Sequence, residues 1–172
     1  VLDRADNTEL VTPTFVVTQV IVEEAPVGAP QSPGTNLLRN PGFEEWNTLS
    51  ATFPGWDSQG CSLKQSGDHV TEGAACLQAE AAAAGAYLCQ RRVLTPGHSY
   101  DLQLDVTALG PITVGVWDEA AGGFLPGERT LSEADGTCRL RFQVVAPGEP
   151  GARAAVRIPC IRFDGDATTV YL

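Results

Sequence analysis

The sequence has few of the residues that metal and nucleotide chemistry usually requires. Among its 172 residues are two histidines and five cysteines, and no two cysteines form a Cys-x-x-Cys pair, so a zinc site is poorly supported. It also contains no Gly-x-Ser-x-Gly elbow, no His-Glu-x-x-His motif, no P-loop and no dinucleotide fingerprint. His69 follows Gly67-Asp68 and His98 follows Pro96-Gly97, so both lie in loop-like segments. We therefore predict that the protein is not an enzyme.

Basic residues and long apolar runs are also scarce. Ten arginines and one lysine face 21 acidic residues, which gives a net charge of −10. An acidic surface repels phosphate backbones, so nucleic acid is excluded as a partner, whereas such a surface keeps a secreted protein soluble and attracts calcium. The longest apolar candidate, Thr14–Val22, is about half the roughly 18–20 residues that span a bilayer, so no membrane span is predicted.

Glycine and proline, in contrast, are common, with 18 and 12 copies in a chain that is 43% hydrophobic. This composition supplies a core and many turns, whereas long helices need the opposite. Short strand candidates recur between turn signals, and two of them alternate apolar and polar residues with period two. The sequence predicts an all-β fold, a two-sheet antiparallel jelly-roll β-sandwich with an extended N-terminal strand. The candidates are Cys61–Gln65, Ala75–Glu80, Tyr87–Leu94, Ser99–Ala108, Ile112–Trp117, Cys138–Ala146, Arg153–Ile158 and Thr168–Leu172.

An apolar segment stands ahead of the main domain. Its β-branched residues predict a strand over residues 14–22 that is apolar on both faces, and the Pro- and Gly-rich residues 25–35 predict an extended linker. The chain thus divides into an N-terminal extension over 1–24 that carries a donor-type strand, the linker, and a β-sandwich over 36–172. The apolar side chains of the strand are Phe15, Val16, Val17, Val20, Ile21 and Val22.

The five cysteines are spread along the chain at positions 61, 76, 89, 138 and 160. In a Gly-rich β chain this spacing favours disulfides and an oxidising compartment, and the alternative is five buried thiols in a cytosolic domain. Cys61 and Cys76 are the first choice for a disulfide, because a short turn-rich segment separates their two strands. Five is an odd number, so one cysteine is free or pairs between chains.

Two segments near position 40 carry a family resemblance. Asn36–Trp46 reads N-L-L-R-N-P-G-F-E-E-W, and F-P-G-W follows at Phe53–Trp56. Together they resemble the opening of the carbohydrate-binding modules that have a galactose-binding-like jelly-roll fold, and Glu72–Leu77 and Cys89–Tyr100 are similar to later strands of that family. The resemblance covers residues 36–172 and implies the fold. It does not imply one function, because the same fold serves many binding and structural roles.

The resemblance also implies a structural calcium. In the family the glutamate of the opening motif, here Glu44, often binds calcium together with an aspartate near the C-terminus. The C-terminal strand usually carries an Asp pair, where this sequence has Thr168 and Thr169, so Asp164 and Asp166 would have to substitute. The alternative is that these three acids are solvated.

Modules of this kind bind sugars by stacking aromatic rings on pyranose faces. The candidates here are Trp46, Trp117 and Tyr87. The alternative is that these aromatics fill the core. Trp117 in particular follows Val114 and Val116, and we expect it to point inward with them.

Two functions from different classes follow. The first is a non-catalytic, secreted β-sandwich subunit that assembles into an extracellular filament with identical subunits. Each subunit would donate its N-terminal strand to the next, because an apolar strand on a tether needs a cover and head-to-tail donation gives an open homopolymer. The strand could instead fold back and pair with its own sandwich. The alternative is a carbohydrate-binding module of a secreted or cell-surface protein, with a polysaccharide as its partner.

Overall fold

The computed structural model describes residues 20–25, 36–67, 70, 73–149, 153–166 and 168–172. These residues form twelve β-strands and a single turn of 3₁₀ helix at Glu133–Asp135. No helix in the described part of the chain is long and apolar enough to cross a membrane. The strands are β1 Val20–Ala25, β2 Asp57–Gln59, β3 Cys61–Ser66, β4 Cys76–Ala81, β5 Tyr87–Leu94, β6 Ser99–Ala108, β7 Ile112–Asp118, β8 Gly123–Phe124, β9 Arg129–Leu131, β10 Thr137–Val145, β11 Ala154–Phe163 and β12 Thr168–Tyr171.

The strands form two antiparallel sheets of six, as the all-β prediction requires. The first sheet has the order β1-β6-β12-β4-β3, with β10 also paired to β6, and the second has the order β2-β5-β11-β7-β8, with β9 also paired to β7. Period-two alternation puts one face of each sheet into a shared apolar core. Leu102 and Leu104 of the first sheet and Val114 and Ile161 of the second are all fully buried there.

The loop before β2 closes one end of the sandwich with aromatic rings. Phe43 is fully buried, its ring centroid lies 4.8 Å from that of Trp56, and it meets Phe53 edge to face at 5.6 Å. Asn40 holds the loop in shape: its side-chain amide donates to the carbonyl of Glu45 and accepts from the same residue's N–H, at 2.8 and 3.0 Å. Phe43, Phe53 and Trp56 thus close this end of the sandwich.

The N-terminal strand pairs with its own domain. β1 lies antiparallel to β6 of the same chain, with Val20 opposite Leu104 and Ala25 opposite Ser99. Because β10 occupies one edge of β6 from Ser99 to Thr107, β1 and β12 share the other edge. Within the described residues the strand covers Val20–Ala25, so it extends beyond the predicted end at Val22. Phe15, Val16 and Val17 of the predicted donor strand lie outside the described residues.

The predicted Cys61–Cys76 disulfide is wrong. The β3–β4 register places Cys61 opposite Ala81 and Cys76 opposite Ser66. The two cysteines therefore lie at opposite ends of one hairpin, well beyond the roughly 7 Å between Cα atoms that a disulfide can bridge. A short connection between two antiparallel strands brings together the residues beside the turn, and Cys61 lies at the far end of its strand.

Candidate functional site

Long polar and aromatic side chains project from the outer face of the second sheet. Tyr87 lies on β5, Trp117 on β7, and Arg157 and Arg162 on β11 between these two strands. The strand register sets Arg162 directly opposite Tyr87, and Arg157 directly opposite Trp117. The residues alternating with them point the other way and are buried in the core. They are Leu88, Val116, Val156 and Ile161.

Two shallow clefts lie between these side chains. One of about 230 Å³ is lined by Tyr87, Trp117 and Arg162 together with Gly85, Arg157 and Cys160. The other, of about 250 Å³, is lined by Asp57 and Arg91 together with Tyr87, Cys89 and Arg157. Tyr87 and Arg157 belong to both, so the clefts adjoin along one side of the sheet.

Cations stack on aromatic rings along this face. The guanidinium carbon of Arg157 lies 4.7 Å from the centroid of the Tyr87 ring, and that of Arg162 lies 5.1 Å from the centroid of the Phe124 ring. Phe124 in turn meets Trp117 edge to face at 5.2 Å. Such contacts hold long side chains in one orientation, which leaves a preformed surface of alternating apolar and hydrogen-bonding groups.

The arginines are held from the side by carboxylates. Glu119 Oε1 accepts from Arg157 Nε at 3.0 Å and from Arg91 Nε at 2.7 Å. Asp164 accepts from Arg162 Nε and from the Thr113 hydroxyl, both at 2.6 Å. The hydrogen bond from Arg157 is the main reason why the pKa of the Glu119 carboxyl lies below its usual value of 4.5, and Arg91 lowers this pKa further. Glu119 is therefore ionised at neutral pH and orients two guanidinium groups at once.

Glu119 should stabilise the fold only while it is ionised. Because its pKa is lower in the folded state than in the unfolded chain, its contribution is present above about pH 4.5 and is lost as the pH falls through the folded-state value. We expect Glu119→Gln to lower the free energy of unfolding at pH 7 by up to about 1 kcal/mol, since the pairs are partly exposed. The difference between wild type and variant should shrink below pH 4.5 when urea unfolding is followed as a function of pH. A difference that grows on acidification would contradict this assignment.

The floor of the site is made of small residues. Gly115 of β7 lies beside Cys160 of β11, which lies beside Cys89 of β5. A Cβ atom on Gly115 would lie 3.0 Å from both Phe124 Cδ1 and Glu128 Cβ. The glycine therefore lets the segment from β8 to β9 lie close against the sheet and brings Phe124 to the edge of the cleft.

Comparison with known proteins identifies the fold. No family profile matches the sequence, and no curated protein does. Among solved structures, the CBM22-1 xylan-binding domain of Xyn10C from Paenibacillus barcinonensis superposes with a TM-score of 0.50 at 14% identity, over 75% of this chain and 85% of that domain. A family 16 carbohydrate-binding module superposes with a TM-score of 0.50 at 15% identity, over 69% of this chain and 86% of that module. The fold is that of a carbohydrate-binding module.

Within this carbohydrate-binding-module fold, the three predicted aromatics separate into two groups. Tyr87 and Trp117 lie together on the outer face of the second sheet. Trp46 lies at the end of the sandwich, where its ring packs 4.7 Å from that of Phe53. The expectation that Trp117 points inward is wrong. Val114 and Val116 share the inner face, and period two turns the next residue outward.

The predicted calcium ligands do not converge. Glu44 accepts a hydrogen bond from the Ala74 N–H at 2.8 Å, just before β4 begins. Asp166 accepts one from the Ala84 N–H at 3.3 Å, just after β4 ends, and Asp164 is held by Arg162 and Thr113. Among the described residues no group of three or more His, Cys, Asp or Glu side chains could hold a metal ion. The predicted calcium site over Glu44, Asp164 and Asp166 is therefore corrected: these carboxylates hold loops and an arginine in place.

Sequence reasoning missed the arginines and Phe124. Arg157 and Arg162 belong to one strand, but Pro159 between them interrupts the alternation, and the predicted strand ended at Ile158. In the structure β11 continues to Phe163 through a register shift between Arg157 and Cys160. The shift is the reason why residues five apart, which would alternate in a regular strand, both point outward. No local signal in the sequence marks Phe124. Its position at the edge of the cleft depends on the close packing of the β8–β9 segment against Gly115.

Proposed function

We propose that this chain is a non-catalytic carbohydrate-binding module that holds a polysaccharide against the outer face of the second sheet. The observation that carries the proposal is the cleft between Tyr87 and Trp117, in which half-buried rings lie beside arginine donors. Sugar recognition needs both components, because apolar C–H faces of a pyranose stack on rings while its hydroxyls take directed hydrogen bonds.

The pKa of the Glu119 carboxyl, on the outer face of the second sheet, favours a binding function over a catalytic one. Glycoside hydrolysis needs a carboxylic acid whose pKa is raised, so that it can donate a proton. The pKa of Glu119 is shifted the opposite way by its arginine partners. We therefore assign Glu119 an orienting role and no proton transfer, and we assign the protein to the extracellular space or the cell surface, where polysaccharides are met.

Sugar binding is favoured over filament assembly. In a strand-donating subunit the N-terminal strand has to leave its own domain and complete a neighbour's sheet. Here Val20, Ile21 and Val22 pair with Leu104, Gln103 and Leu102 of their own β6. The described part of the segment is thus already engaged within one molecule, which supports a self-contained module.

Affinity electrophoresis tests the proposal directly. The protein is run in native gels that contain xylan, a mixed-linkage β-glucan or a galactan, and we expect at least one of them to retard it. Arg157→Ala should reduce that retardation about tenfold or more, because the hydroxyl-binding donor in the middle of both clefts is lost. Arg141→Ala is the matched control, since Arg141 is an exposed arginine of β10 in the other sheet. No retardation by any of the polysaccharides, or equal losses in both variants, would refute a sugar site here.

A further inference from the structure

We infer that Cys89 and Cys160 form a disulfide that cross-links β5 and β11 beneath the candidate sugar site. The two residues are direct partners in the antiparallel β5–β11 ladder. Direct partners in such a ladder have their side chains on the same face and their Cα atoms about 4.5–5.5 Å apart. A disulfide needs about 4.4–6.8 Å, so the bond can form without rearrangement of the strands.

None of the other three cysteines faces a cysteine in its ladder. All five lie within the described residues, and the ladders place Cys61 opposite Ala81, Cys76 opposite Ser66 and Cys138 opposite Val106. A disulfide requires two sulfurs within reach on one face. Of the ten pairs that five cysteines allow, Cys89–Cys160 is the one whose members are direct ladder partners.

The position of the pair explains why the thiols are buried although they lie on an outer face. Cys89 and Cys160 are 1% and 3% exposed, and they line the bottom of the two clefts beneath Tyr87 and Arg157. Burial raises the pKa of both thiols to about 12, so the folded protein presents almost no thiolate. Exchange therefore has to take place while the chain is still folding and the sulfurs are accessible.

The chemistry is thiol–disulfide exchange with a low-molecular-weight disulfide as the oxidant. The thiolate of one cysteine attacks the small disulfide, which forms a mixed disulfide and releases one small thiolate. The second cysteine then attacks the protein sulfur of the mixed disulfide and releases the other small thiolate. Two protein thiols and one small disulfide thus give one protein disulfide and two small thiols, and the protons lost by the cysteines are taken up by the two released thiolates.

Refolding in a glutathione redox buffer tests the pair. The unfolded, reduced protein is refolded with reduced and oxidised glutathione, unfolded again in guanidinium with iodoacetamide, and digested without reduction. We expect three alkylated cysteines, at 61, 76 and 138, and one linked peptide pair that contains Cys89 and Cys160. The oxidised protein should melt about 10 °C above the reduced one, because the bond closes a long loop.

Single cysteine-to-serine substitutions distinguish the Cys89–Cys160 disulfide from other pairings. Cys89→Ser and Cys160→Ser should each abolish both the linked peptide and the melting-temperature difference, whereas Cys61→Ser should keep both. Five alkylated cysteines in the wild-type protein, or a linked pair that includes Cys61, Cys76 or Cys138, would overturn the inference. The peptide map of the wild type decides the matter even if a serine variant fails to fold, and its outcome is independent of whether a polysaccharide binds.

Discussion

Replacing Phe43 by alanine should lower the free energy of unfolding by about 3–5 kcal/mol. The Phe43 ring is fully buried between those of Phe53 and Trp56, with centroid distances of 5.6 and 4.8 Å. Its removal takes away both the transfer free energy of the ring and its edge-to-face contact, and it leaves a cavity where the opening loop seals the core. A small domain has about 5–15 kcal/mol of stability in total, so the variant should unfold at a much lower urea concentration than the wild type.

Leu49→Ala is the control for this substitution, because Leu49 is a large apolar residue of the same loop that is 99% exposed. We expect a change within about 0.5 kcal/mol there. Urea unfolding followed by circular dichroism measures both variants. If Phe43→Ala costs no more than Leu49→Ala, the aromatic cluster does not hold the end of the sandwich together.

Replacing Trp117 by alanine should weaken polysaccharide binding about 10- to 100-fold, which corresponds to about 1.4–2.8 kcal/mol. Trp117 is half-buried on the outer face of the second sheet and lines the cleft with Tyr87. A tryptophan in this position offers the largest stacking surface of any side chain, and aromatic anchors of this kind dominate binding energies. The fold should be less affected, since the ring lies outside the core.

Trp46→Ala provides the matched comparison. Trp46 packs on Phe53 at the end of the sandwich, so its loss should reduce stability and leave affinity unchanged. Isothermal titration with the polysaccharide that retards the wild type measures both affinities, and tryptophan fluorescence adds a second readout. The ligand-induced change in emission should disappear in the Trp117 variant and persist in the Trp46 variant. The reverse pattern would move the sugar site to the end of the sandwich.

The sequence predicted most of the strands because their alternation is a local property. Of the eight strands predicted for residues 36–172, seven agree with the structure to within one residue at either end. The exception is β11, where Pro159 reads as a strand end in the sequence. The strand accommodates it at a register shift between Arg157 and Cys160, where the ladder needs no donor from the proline. Proline lacks a backbone N–H, and it interrupts a strand only where a neighbouring strand would accept a hydrogen bond from that N–H. The pairing of the strands, which the sequence does not show, therefore determines the effect of a proline.

The candidate site was harder to predict because it depends on which strands become neighbours. Tyr87 and Trp117 were candidates on chemical grounds, but β11 has to lie between their strands before they form one surface. The same holds for Cys89 and Cys160, which are far apart in sequence and adjacent in the sheet. The pairing of Cys61 with Cys76, chosen from proximity along the chain, was wrong for the same reason.

The position of β1 also determines where the module can be trimmed. A family resemblance that begins at Asn36 suggests starting a shortened protein there, but such a protein would lack the strand that pairs with Ser99–Leu104. The backbone N–H and C=O groups along that edge would then be unpaired and could bind another extended chain. In a purified sample the available chain is a second copy of the shortened protein. A fragment that begins before Val20 keeps β1 paired along this edge, and we expect it to self-associate less than a fragment that begins at Asn36.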